Sequence, residues 1–294
     1  MSKKMFIFGL GYIGEALAAR MADQGWQIAG TIRNPDRLAH RRQEGWSVLS
    51  YQHDRENSDE REQIAQKIAD ADILFSTIGL KDGADPVSAE FSRELQAYSG
   101  WAGYLSVTSV YASQSEGWVD EHTDARPQSD RGRARLAAEQ AWQRLTGAEI
   151  FRLGGIYGPK RNPFRAILDG TAQIIDRPGQ LFNRMYYLDM VRILEAACKA
   201  PQAGRIINLV DGVPAAQRDM MMFSASLLGC PPPQTVSYEE ANLSEMGRSF
   251  YQTSRRIRSV VWGPEMGVEL ICPDYKAGLK ACLEADLSSG DISL

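Results

Sequence analysis

Gly9-Leu10-Gly11-Tyr12-Ile13-Gly14 stands between an apolar, strand-like run from Met5 to Phe8 and a helix-forming stretch from Glu15 to Arg20. No other feature of the chain restricts its fold so tightly. In such a loop the first glycine permits a tight turn, the second lets the backbone approach a pyrophosphate, and the third packs helix against strand. The helix that follows turns its N-terminal N–H groups and its dipole toward a diphosphate. Spacing alone is a weak signal, and the strand before, the helix after and a second strand at the right distance make it specific. Gly9, Gly11, Tyr12, Ile13 and Gly14 are therefore expected to line a dinucleotide site.

The second apolar run, Trp26 to Ile32, ends at Arg33. A site built for NAD places an Asp or Glu about 20 residues after the glycines, on the ribose hydroxyls. A carboxylate there would repel a 2′-phosphate, whereas a guanidinium clasps one through charge-assisted hydrogen bonds. Arg33 thus points to NADP(H) in preference to NAD(H), with Arg37 assisting.

Further apolar runs follow at Trp46 to Tyr51, Ile73 to Ile78, Tyr104 to Val110 and Ile150 to Ile156, with helical stretches between them. This alternation predicts an α/β fold, a doubly wound parallel sheet of the Rossmann kind with ligands at the carboxyl ends of its strands. Gly132 to Leu145 reads as a helix stopped by Gly147. Beyond Gly158-Pro159 the alternation fades. Residues 1–160 are expected to form the dinucleotide-binding domain and residues 161–294 a smaller substrate lobe, from which strand 205–210 returns to the main sheet.

A formal net charge of -4 provides no basic field for nucleic acid phosphates. Cys198, Cys230, Cys272 and Cys282 form no Cys-x-x-Cys pair, and His40, His53 and His122 share no ligand spacing, so no metal site is expected. The apolar start resembles a signal peptide core, but the regular glycines and Glu15 interrupt it. No stretch approaches the ~18 apolar residues of a membrane span. The expectation is a cytoplasmic protein with a small-molecule ligand and no nucleic acid or membrane partner.

Several motifs resemble the extended, atypical short-chain dehydrogenase/reductase family, also called the NAD-dependent epimerase/dehydratase family. Leu105-Ser-Val-Thr-Ser-Val-Tyr111 resembles its strand-five motif ending in Val-Tyr-Gly, and Phe151-Arg-Leu-Gly-Gly-Ile-Tyr-Gly-Pro159 resembles its Arg-x-x-x-Val-Tyr-Gly-Pro. Tyr187-Leu-Asp189, Ile207-Asn208-Leu-Val-Asp211 and Tyr275-Lys-Ala-Gly-Leu279 resemble its His-Val-Asp-Asp, Tyr-Asn-Val and Tyr-x-x-Gly-Leu segments. The resemblance implies cofactor contacts from Gly155, Ile156 and, at the adenine, Asp54. It also implies a homodimer formed by helices flanking the sheet.

The chain departs from the family where the chemistry lies. Arg131 takes the position of the catalytic tyrosine, Arg135 that of the lysine, and Val107 that of the Ser or Thr. Strand alternation selects Ser109 as the hydroxyl facing the Val107 side. An arginine cannot exchange a proton near neutral pH, which excludes the family's standard mechanism. The catalytic candidates are Ser109, Tyr111, Arg131 and Arg135: Arg135 would still donate to the cofactor ribose, Arg131 would hold a carboxylate or polarise a carbonyl, and Tyr111 or Tyr157 would handle the proton. By resemblance the substrate pocket lies between the lobes, and Tyr157, Arg161, Asn162, Arg184 and Arg256 join Arg131 as candidates for holding an anionic substrate. Three readings follow: an NADP(H)-dependent oxidoreductase or epimerase-type enzyme with non-standard residues, a non-catalytic NADP(H) sensor or partner-binding protein, and a structural protein with an empty site.

Overall fold

The computed structural model describes residues 3–53, 57–113 and 117–293. Seven strands share one sheet: β1 (Lys4–Phe8), β2 (Gln27–Ile32), β3 (Ser47–Ser50), β4 (Ile73–Ser76), β5 (Trp101–Val107), β6 (Glu149–Leu153) and β7 (Ile206–Leu209). Their spatial order is β7-β6-β5-β4-β1-β2-β3. β1 pairs in parallel with β2 and β4, β2 with β3, and β4 with β5. The strand order reverses beside β1, and ligands of open α/β sheets bind at the carboxyl ends next to such a reversal.

β1 is buried continuously from Met5 to Phe8, the pattern of a parallel strand covered on both faces. On one face Phe6, Phe8, Leu74, Ala102 and Tyr104 pack against Ile64, Ile68, Phe91, Leu95 and Trp142 from the covering helices. The helix expected from Gly132 spans Asp130–Thr146, starts on the Ser129 side chain and ends on Gly147 at φ 68°. That left-handed residue carries no Cβ penalty because it is glycine.

Contacts divide the chain into two compact units that interleave in sequence. Residues 1–110, 125–152 and 191–207 form the first, and residues 111–124, 153–190 and 208–294 the second. A single border at residue 160 is therefore replaced by several crossings, because the segments after β5 and β6 already contribute to the second unit. The apolar run expected from Ile150 to Ile156 breaks at Gly154, where a Cβ would lie 2.8 Å from the Asn183 carbonyl oxygen. Gly155–Tyr157 continues as a separate strand, parallel to Arg184–Tyr186. Within the second unit two further parallel pairs join Gln173–Asp176 to Gln234–Ser237 and Trp118–Val119 to Arg256–Ile257. Its core gathers Tyr157, Phe164, Met220, Leu228, Leu279 and Cys282. Among the described residues no helix is long and apolar enough to cross a membrane, and no cluster of His, Cys, Asp and Glu could hold a metal ion.

Candidate functional site

The glycine loop is fixed from both sides. Thr31, at the end of β2, accepts Gly9 N–H on its hydroxyl (3.1 Å) and Leu10 N–H on its carbonyl (2.7 Å). Thr77, just past β4, donates its hydroxyl to the Gly9 carbonyl at 2.6 Å. Gly9 has φ +91°, in the left-handed region that favours glycine. The helix Tyr12–Ala22 starts from Gly11, which offers no side chain to cap its first N–H groups. A Cβ on Gly11 would meet nothing within 4 Å, so the backbone there borders open space, whereas one on Gly14 would lie 2.2 Å from the Gly9 carbonyl oxygen. This division of labour suits a diphosphate on the helix N-terminus. Ile13 is buried in the core and leaves only its backbone to such a ligand.

Five basic side chains follow β2, and the structure sorts them. Arg41 pairs with Glu15 (3.0 Å) and Glu44 (2.9 Å) and lies over the Trp46 ring. His40 approaches the same Glu15, and Arg42 donates to the Val48 carbonyl. Arg33 and Arg37 are exposed, and among the described residues neither has an ion-pair partner. Asp54 lies outside the described residues.

Around the positions that the resemblance assigned to catalysis, β5 ends at Val107 and Thr108–Val110 forms a 3-10 turn. Strand alternation therefore stops short of Ser109, which corrects the argument that placed it on the Val107 side. The Ser109 hydroxyl is buried and has no hydrogen-bond partner among the described residues. Gly132 lets the helix Asp130–Thr146 press onto this turn, since a Cβ there would lie 2.6 Å from the Ser109 carbonyl oxygen. Arg131, in the first helical turn, is exposed, while Arg135 is only 6% exposed. Arg135 Nη1 donates to the Tyr104 hydroxyl at 2.7 Å. The two arginines thus do not stand side by side toward solvent: the first lies at the surface and the second is drawn inward by Tyr104.

The tyrosine candidates are committed elsewhere. Tyr111 is buried and donates to Asn208 Oδ1 at 2.9 Å. Tyr157 is also buried, donates to the Asp274 carbonyl, and occupies the space where a Cβ on Gly278 would fall, 2.1 Å from its hydroxyl. Burial raises its pKa well above the ordinary range. Neither is presented as a proton donor, which corrects that expectation: both are partners of other motif residues and hold the second unit together. Asn162 is likewise structural, donating to Asp286 Oδ2 at 2.7 Å. Arg161 is exposed and donates to the Ile156 carbonyl, Gly155 is exposed and Ile156 half-buried. Arg256 is exposed on a short strand. Arg184 is turned to the carbonyls of Phe182 and Ala215 (3.2 and 3.0 Å), and burial lowers its pKa.

Asp211 escaped the sequence reading as a titrating group. Its Oδ1 accepts from Val213 N–H at 2.9 Å, while its Oδ2 is buried with no hydrogen-bond partner among the described residues. Burial pushes the carboxyl up from 3.8 to about 7 against the opposing pull of the Val213 N–H and Arg184. Between those values the folded chain holds a proton that the unfolded chain has lost, so stability falls as pH rises through the window. Asp211→Asn keeps an acceptor for Val213 and is expected to flatten that fall in melting temperatures measured across the window. An unchanged pH profile would show that Asp211 does not carry it.

No family model matches the chain. A functionally unknown conserved protein from Silicibacter pomeroyi is similar in structure at a TM-score of 0.86 and 35% identity, covering 97% of this chain and 99% of that one. The chain belongs to the family of that conserved protein. Protein YeeZ of Escherichia coli (strain K12) is 28% identical over 242 residues, 79% of this chain and 86% of the relative. More distant in sequence, at 13% identity, dTDP-glucose 4,6-dehydratase from Bacillus anthracis in complex with NAD gives a TM-score of 0.80 over 99% of this chain and 98% of that one. That likeness, shared with an ADP-L-glycero-D-manno-heptose-6-epimerase from Helicobacter pylori and a UDP-glucose 4-epimerase from Thermotoga maritima, is one of fold.

Proposed function

We propose that the protein binds NADP(H) in its first unit and acts on a small anionic molecule with residues other than the tyrosine and lysine of the short-chain dehydrogenase/reductase family that it resembles. The observation that carries this reading is the sorting of the basic cluster: Glu15 and Glu44 neutralise Arg41, while Arg33, directly after β2, and Arg37, in the 3-10 helix Pro35–Leu38 that follows, are exposed without ion-pair partners among the described residues. The helix Tyr12–Ala22 would take the diphosphate on its N-terminus, and Arg33 and Arg37 the 2′-phosphate. Nicotinamide supplies or accepts hydride when bound. Arg131 is assigned to a carboxylate or phosphate of the substrate, and Ser109 to its reacting oxygen.

Titration of the protein with NADPH and NADH tests the cofactor half. NADPH is expected to bind more tightly, and Arg33→Ala to weaken NADPH on the order of tenfold or more, the scale of a lost charge-assisted hydrogen bond, while leaving NADH unchanged. Equal affinities in the wild type, or a preference untouched by Arg33→Ala, would refute it. The commitment of the Tyr111 and Tyr157 hydroxyls favours a second reading, a non-catalytic NADP(H) sensor. Stoichiometric NADPH binding without turnover on aldehydes, ketones or nucleotide sugars would select the sensor, and turnover abolished by Arg131→Ala would select the enzyme.

A further inference from the structure

Beneath the carboxyl end of β5 runs a buried relay that the glycine loop and the basic cluster do not use. Arg135 Nη1 donates to the Tyr104 hydroxyl (2.7 Å), and that hydroxyl lies 3.2 Å from Asp85 Oδ2. Asp85 Oδ1 accepts from Trp142 Nε1 (3.1 Å) and from Ser88 N–H (2.7 Å). The Trp142 and Tyr104 rings stack at 5.4 Å. A guanidinium only donates and a carboxylate only accepts, so the single Tyr104 proton points to Asp85 and the relay has one direction. Asp85 and Tyr104 thereby give Arg135 a counter-charge and fix its plane.

Part of the guanidinium is left over. Arg135 Nε is buried with no hydrogen-bond partner among the described residues, and so are the hydroxyls of Ser76 at the end of β4, Ser106 on β5 and Ser109 just beyond it. Buried polar groups are rarely left so. Ser76 and Ser106 belong to the part of the sheet around Tyr104, and Arg135 is bonded to Tyr104 itself. Ser76 is in register with Phe8 of β1 and with Tyr104 of β5. Tyr104 is thus two ladder steps, roughly 10 Å, from the strand that leads into the glycine loop. A dinucleotide with its diphosphate at β1 and its 2′-phosphate at the end of β2 must extend its other half over β4 and β5.

We propose that Asp85 and Tyr104 are positioning residues for Arg135, which holds the nicotinamide-bearing half of the dinucleotide. This rests on the NADP(H) reading above. The relay substitutes a fixed charge for a group that could shuttle a proton: the Tyr104 hydroxyl is fully buried and its proton is committed to Asp85, so Tyr104 does not replace the missing proton donor.

The test compares NADPH with adenosine 2′,5′-bisphosphate, which carries the adenosine and 2′-phosphate end and no nicotinamide. Tyr104→Phe breaks the bridge. Asp85→Asn, measured beside it, removes the charge and keeps an acceptor for Tyr104, and circular dichroism reports whether each variant folds. Both variants are expected to weaken NADPH by about tenfold, the scale of a hydrogen bond to a charged group, and to leave the bisphosphate within about twofold. Equal losses for both ligands, no loss for either, or failure of both variants to fold would make the relay purely structural and overturn the assignment. If the wild type binds neither ligand, the NADP(H) reading itself fails and this one with it. Bisphosphate binding in the wild type without discrimination by the variants sinks the relay alone.

Discussion

Glu139→Ala is expected to destabilise the protein by about 3–5 kcal/mol, the range found when one member of a buried ion pair is removed. Arg152 donates to both Glu139 oxygens, from Nε at 3.1 Å and from Nη2 at 2.8 Å. The side chains are 4% and 2% exposed, so solvent cannot take over when the carboxylate goes. The truncated chain must either bury the Arg152 charge without its carboxylate or open the contact between β6 and the helix Asp130–Thr146. Urea unfolding of the two proteins measures the difference. Replacing both residues by apolar ones of similar volume should recover much of the loss, because the desolvation penalty then disappears with the pair. The pair between Arg133 and Asp130 on the same helix offers a control: Asp130 is 99% exposed, and its removal is expected to change stability by less than about 1 kcal/mol. A loss that small for Glu139→Ala would mean that the contact is not closed to water.

Local patterns were legible and pairings were not. The glycine loop, the helix ending at Gly147 and the alternating strands are written within a few neighbouring residues, where turn chemistry, capping and burial period act directly. Strand alternation does not reach Ser109, because β5 turns into a 3-10 segment before it. Arg152 belongs to the Phe151…Pro159 motif and Glu139 to the helix read from Gly132 to Leu145, just as Tyr157 and Gly278 belong to separate motifs, and nothing local to either says that they meet. Tyr111 and Tyr157 looked catalytic because they are tyrosines near strand ends, but the direction of a side chain depends on partners distant in sequence. Asp85 did leave a trace: an Asp before Pro86 is a helix N-cap signal, and a tyrosine inside a buried strand such as β5 needs a partner for its hydroxyl. Those two signals read together would have suggested the Tyr104–Asp85 contact, though not the arginine that completes it.

Gly14→Ala is expected to reduce stability by about 3 kcal/mol, the upper end of ordinary overpacking, and to lower NADPH affinity along with it. In a helix interior the same change would ordinarily stabilise by about 1 kcal/mol, so the sign is diagnostic. The new Cβ would lie 2.2 Å from the Gly9 carbonyl oxygen and 3.2 Å from its carbon. Gly9 has nowhere to go, since its N–H is held by Thr31 and its carbonyl by Thr77, and yielding would break both bonds. Gly11→Ala isolates the other half of the loop's task. Gly11 has φ -90°, a conformation open to alanine, and its added Cβ meets nothing within 4 Å. Its melting temperature should therefore stay near that of the wild type while NADPH affinity, followed by fluorescence titration, falls because the methyl group enters the space a diphosphate needs. Full NADPH affinity in Gly11→Ala would place the ligand elsewhere, and a stable Gly14→Ala would show that the loop moves more freely than its two threonine anchors imply.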